Sequence, residues 1–232
     1  MTVIQVAAHD PFPQVLYEDN HLLALAKPAM LPTMGVAASR PSLLALAKDY
    51  VRRKYDKPGN VYLGIVSRLD APVSGIVLLA RTSKAAARLC QQFRDRQVRK
   101  TYWAVVENRV RPPDSRLVNH VIKDERHRRM RIAAPAATGA LEACLTYRTL
   151  RQVHGDTLLE VVLETGRKHQ IRLQLAHFGH PILGDRKYGS HRTFPVGIAL
   201  HCRCLVFQHP VRRCSITLTA PLSRAWRDIG PP

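Results

Sequence analysis

Two short segments set a charged side chain among apolar neighbours, and each has the makings of a working group. In the first, Asp70 follows Leu69 and precedes Ala71-Pro72, between the apolar runs 61–66 and 76–80. A carboxylate there is either a turn residue bonding local backbone N–H groups, the commoner case, or a group that stabilises charge, attacks a carbon or takes a proton in a cleft. In the second, Arg172 stands between Ile171 and Leu173, with Leu175 and Ala176 following. Such an arginine either snorkels to the surface or is buried, and a buried one needs an anionic partner. Paired in a partly dry cleft, it would hold a neighbouring carboxylate ionised. Asp70 and Asp185, the latter in Gly184-Asp185, are the two candidates, and spacing alone does not choose between them.

The elements around these residues read as strand-rich α+β in one globular domain over residues 16–232, preceded by a loose arm over residues 1–15. Apolar runs at 21–26, 61–66, 76–80, 101–106, 158–164, 199–207 and 215–219 predict strands. Leu43, Leu46, Ala47, Tyr50 and Val51 recur on one helical face after Ser42. Thr82 is a plausible N-cap for a second helix reaching Val98, with Ala86, Leu89, Cys90 and Phe93 on its apolar side. A third helix is expected over 168–178, with Gly179 as its stop. Residues 29–41 read as loop, and 120–132 (HVIKDERHRRMRI) as a dense basic stretch.

Charge narrows the partner. The 232 residues carry 36 Lys and Arg against 17 Asp and Glu, a formal +19. That excess repels itself unless a polyanion is near, which favours nucleic acid. The opening MTVIQVAAHDPFPQ lacks a basic n-region, and no run reaches the length of a membrane span, so a cytoplasmic protein is expected. The five cysteines, an odd number, suggest reduced thiols. Cys202 and Cys204, beside His201 and with Cys214 further on, lack a second ligand pair, so structural cysteines are favoured over a zinc site.

Four stretches in order resemble the RluA-type pseudouridine synthases, over residues 17–222. They are Tyr17-Glu18-Asp19-Asn20-His21-Leu22-Leu23 with Lys27-Pro28; Ser67-Arg68-Leu69-Asp70 with Ser74-Gly75; Lys100-Thr101-Tyr102; and Gly166-Arg167-Lys168-His169-Gln170-Ile171-Arg172, continuing through Gly179-His180-Pro181 and Gly184-Asp185 to Tyr188-Gly189. Leu200-His201 and His209-Pro210 also fit. The resemblance implies a catalytic fold with a mixed, mostly antiparallel sheet, helices and a central RNA-binding cleft. It implies isomerisation of chosen uridines to pseudouridine in ribosomal or transfer RNA, with no metal and no organic cofactor.

By the motif match, Asp70 is the essential carboxylate, Tyr102 the ring that packs on the target base, and Arg172 the partner of Asp70, which leaves Asp185 structural. Arg68 matches the arginine that helps expel or replace the flipped nucleotide. Lys100, Arg167, Lys168 and His169 are candidates to meet phosphates near the cleft. The chain departs from the family at Ser67, usually His, and at Val73 and Lys168, both usually Thr; these changes bear on substrate choice. No N-terminal accessory RNA-binding domain, no obligate protein partner and a monomer are expected. A non-catalytic RNA-binding or RNA-folding protein on the same scaffold is the alternative.

Overall fold

The computed structural model describes residues 12–37 and 39–229. The expected arm therefore lies mostly outside the described residues, and Val15 already belongs to the first strand. The strands are β1 (Val15–Glu18), β2 (Leu22–Lys27), β3 (Gly64–Ile65), β4 (Ser74–Ala80), β5 (Arg99–Val106), β6 (Asp114–Asp124), β7 (Arg129–Ala133), β8 (Leu141–Val153), β9 (Asp156–Leu163), β10 (Leu200–Gln208) and β11 (Ser215–Thr219). The helices are α1 (Leu43–Lys54), α2 (Ser83–Arg94) and α3 (Gln170–His177), with single 3-10 turns at Arg186–Tyr188 and Arg224–Trp226.

All eleven strands join one sheet in the order β1-β2-β4-β10-β5-β9-β8-β6-β7, with β3 added on β4 and β11 on β10. Among the described residues, only β4 and β10 pair in parallel. The fold is thus α+β with a mixed, mostly antiparallel sheet. Its middle strands are continuous apolar runs because both faces are covered: every residue of β4 is buried, as are six of the eight in β5. α2 packs over β3 and β4.

Three departures from the sequence expectations have local causes. Of the run 61–66 only Gly64–Ile65 pairs; Val61 and Leu63 are buried without joining a ladder. α2 stops at Arg94 rather than Val98, because Asp95 caps it and Arg96 turns left-handed at φ 58°. α3 starts at Gln170 rather than Lys168, since His169 is left-handed at φ 53°. Thr82 is the N-cap expected for α2 and Ser42 caps α1, each hydroxyl accepting the amide three residues on. The basic stretch 120–132 proves to be the β6–β7 hairpin.

Strand register sets the geometry of the centre. Lys27 of β2 faces Gly75 of β4, Gly75 faces Cys202 of β10, and Cys202 faces Tyr102 of β5. One row across the sheet therefore carries the chain from the Asp70 loop to Tyr102. Gly75 sits at φ +115°, and a Cβ there would lie 2.3 Å from the Cys202 carbonyl oxygen, so the close parallel crossing requires glycine.

One residue along, His201 pairs with Ser74, and its Nδ1 lies 2.9 Å from the Ser74 hydroxyl. Burial holds this imidazole down to about 4, against an ordinary 6.5. Between those values the unfolded chain binds a proton that the fold refuses. The stabilisation is complete above pH 6.5 and is lost as pH falls towards 4, a contribution of about 3 kcal/mol. Thermal melts over this range should show the loss, and His201→Gln should flatten the slope.

Candidate active site

The loop carrying Asp70 is held on both flanks. The Thr33 hydroxyl donates to the Leu69 carbonyl (2.8 Å) and accepts the Leu69 amide (3.2 Å). The buried Lys27 ammonium donates to the carbonyls of Pro28, Leu31 and Ala71 at 2.7–3.1 Å. Burial pulls its pKa down to about 7, and the nearby Asp70 charge opposes that fall. The Ser67 hydroxyl accepts the Leu78 amide, so this departure from the family pattern ties the loop to β4. Asp70 sits in a turn closed by its main-chain carbonyl, which accepts the Val73 amide, but its carboxylate has no described backbone N–H partner, contrary to the turn reading.

α3 supplies the cation. Its residues 170–175 are all buried, because the helix serves two apolar clusters at once. Ile171 and Leu175 belong to the main core, while Leu173 packs with Val121, Met130, Ala143 and Tyr188. Gln170 anchors the helix start by bonding Thr165, the Cys144 carbonyl and Gln174. Arg172 is fixed between these clusters.

Its guanidinium meets both candidate aspartates. Nε and Nη2 fork onto Asp185 at 2.6 and 2.8 Å, and Nη1 donates to Asp70 Oδ2 at 2.9 Å. Burial works against the charged form, but the hydrogen bonds and charge of Asp185, followed by those of Asp70, raise its pKa. The Asp185 side chain is 1% exposed, whereas that of Asp70 keeps 28%. Asp185 is thus the internal counter-ion, and Asp70 is the carboxylate facing solvent.

Asp70 lines a cleft of about 920 Å³ that also takes in Arg68, Lys100, Tyr102, Arg172 and the segment 166–169. The eight residues singled out from sequence all meet there. Tyr102 is buried, which pushes its phenol well above 10, so it offers a neutral ring. Arg68 and Lys168 are exposed at the cleft. Lys100 lies 5.7 Å from the centre of the Phe93 ring, and burial lowers its pKa. The Arg167 side chain is partly engaged, donating to the Glu142 carbonyl. His169 differs from the phosphate-contact expectation: its side chain is 10% exposed and is turned to Tyr188 and Asp70.

The cleft also includes Arg94 and Arg96, which the sequence reading missed because it assigned both to the interior of a longer helix. Tyr188 was missed as a site residue as well, though it closes the long third motif. Burial raises the Cys202 thiol to about 12, so it packs as a neutral side chain, and among the described residues no three metal-ligating side chains cluster. No described helix is long and apolar enough to cross a membrane.

The model of the RNA pseudouridylate synthase family matches residues 21–177. The chain belongs to this family. The match spans the Asp70 loop, Tyr102 and Arg172. Ribosomal large subunit pseudouridine synthase D of Xylella fastidiosa is 36% identical over 222 residues, covering 90% of this synthase-family chain and 65% of that protein. The chain thus spans somewhat less than two-thirds of that relative's length. tRNA pseudouridine synthase C of Pasteurella multocida is 30% identical, with 93% and 94% covered. The solved human RNA Pseudouridylate Synthase Domain Containing 4 shares the fold, at TM-score 0.77 and 22% identity over 93% of this chain and 92% of that one.

Proposed function

We propose that residues 16–232 form a single catalytic domain that converts selected uridines in ribosomal or transfer RNA to pseudouridine, with Asp70 as its carboxylate. The observation that carries this reading is the state of Asp70: Oδ2 is tethered by a buried arginine, while no described hydrogen bond reaches Oδ1. The named activities of the Xylella and Pasteurella relatives support the RNA class.

The reaction breaks the N1–C1′ bond, turns the uracil and rejoins it through C5. A stacked uridine is out of reach, so it must be flipped at a cost of a few kcal/mol, which phosphate contacts along a +19 surface offset. Arg68, Arg94, Arg96, Lys100, Arg167 and Lys168 supply positive charge around the cleft, and Arg68 occupies the space the flipped nucleotide leaves. As the glycosidic bond weakens, positive charge grows at C1′. The Asp70 carboxylate stabilises it, attacks C1′ or removes the C2′ proton. The neutral Tyr102 ring gives the freed base a flat surface while it rotates. These steps use the Asp70 carboxylate and invoke no cofactor. The reading describes a cytoplasmic monomer without an obligate protein partner.

Unmodified ribosomal and transfer RNA carrying uridine tritiated at C5 should be offered separately to the purified protein. The expected result is tritium release from one of them, since C5 exchanges its hydrogen for the sugar. RNA binding without release from either would favour the non-catalytic alternative.

A further inference from the structure

His169 spends conformational energy on a position it does not use in the ordinary way. It is the N-cap of α3, in the left-handed region at φ 53° and ψ 21°, yet its side chain makes no capping bond. Such a backbone costs about 1–3 kcal/mol for a residue other than glycine and persists where the side chain is needed elsewhere. Here the imidazole lies between two oxygens. Nδ1 is 2.8 Å from the Tyr188 hydroxyl, and Nε2 is 3.5 Å from Asp70 Oδ2.

The Tyr188 hydroxyl already accepts the Met130 amide at 3.0 Å, so its own proton is free for Nδ1. A hydroxyl that donates to Nδ1 leaves the ring proton on Nε2, the nitrogen facing Asp70. We propose that Tyr188 and His169 are positioning residues, Tyr188 fixing the Nε2–H tautomer and His169 aiming that N–H at Asp70 Oδ2, so that Oδ1 is the reacting oxygen. This rests on the reading of Asp70 as the catalytic carboxylate.

Burial holds His169 down to about 4, against the pull of Asp70 and with Arg172, Lys168 and Lys187 adding to the fall, so the donor is neutral. Neutrality matters. Arg172 already places one positive charge 2.9 Å from Oδ2. A second would blunt the carboxylate's stabilisation of positive charge at C1′, whereas a neutral N–H orients the group without that loss. With the Arg172 hydrogen bond and the 3.5 Å approach of His169 Nε2 both on Oδ2, Oδ1 stays clear.

Two measurements test this. In the free protein near neutral pH, long-range nitrogen–proton NMR spectra of the imidazoles should show His169 as the Nε2–H tautomer; an Nδ1–H ring overturns the proposal whatever the enzyme's activity. In single-turnover assays, Tyr188→Phe keeps the ring beside Arg172 but removes the hydroxyl. It should slow the chemical step about tenfold with RNA affinity near wild type, and lower the melting temperature by a few degrees because the buried Met130 amide loses its acceptor. His169→Gln carries an amide N–H that needs no tautomer and should stay within about threefold of wild type, while His169→Leu should lose at least as much as Tyr188→Phe. In the Gln background, adding Tyr188→Phe should cost no further rate. A wild-type rate for Tyr188→Phe, or an equal loss in the Gln background, overturns the relay. Full activity of Asp70→Asn would instead overturn the reading beneath it.

Discussion

Asp70→Asn should lower tritium release by at least about 10³-fold while leaving fold and RNA affinity in place. The amide matches the carboxylate in shape, so the cleft keeps its outline and the Arg172–Asp185 fork is untouched. What disappears is, among the described residues, the only negative charge next to Arg172 with substantial exposure. Neither charge stabilisation at C1′ nor attack nor proton removal survives as a neutral amide. Because a negative charge leaves a basic cleft, RNA should bind equally well or slightly more tightly. Filter binding beside the tritium assay separates the two effects. Residual turnover near wild type would show that another group carries the chemistry.

Much of this site is legible in the chain because its key residues break local rules. Asp70 interrupts a core between two apolar runs, and Arg172 sits inside an apolar helix. Each anomaly has a structural cause: the loop is pinned by Thr33 and Lys27, and α3 is wedged between two apolar clusters. The central strands are equally plain, since strands buried on both faces read as unbroken apolar runs. β6, β7 and β8 are harder to see. β6 alternates exposed and half-buried positions over its first half, and its basic residues hide the period within a charge run. The partner of Arg172 was not decidable from spacing for a geometric reason. A guanidinium has enough donors for both aspartates, and the structure uses three of them. His169, expected among the phosphate contacts, has its ring beside Tyr188 and Asp70. Its left-handed backbone is a feature that residue type and spacing do not reveal.

Arg172→Met should cost both turnover and stability, and the two losses have separable causes. Removing the guanidinium strands Asp185, whose side chain is 1% exposed and whose two charge-assisted bonds both come from Arg172. Breaking a buried pair by deleting one partner costs about 3–5 kcal/mol, which lowers the melting temperature by roughly 10 °C in a protein of this size. Turnover should fall at least about 10²-fold, since Asp70 loses the donor 2.9 Å from Oδ2 that fixes its orientation. The double change Arg172→Met with Asp185→Leu separates the effects. An apolar pair of similar volume can replace a buried ion pair with little penalty, so the melting temperature should recover. Turnover should not, because Asp70 still lacks its cation. Arg172→Lys should fall between, keeping the charge but unable to fork onto Asp185 and reach Asp70 together. If the double variant regained turnover along with stability, the contact between Arg172 and Asp70 would be incidental, and Arg172 would serve the fold alone.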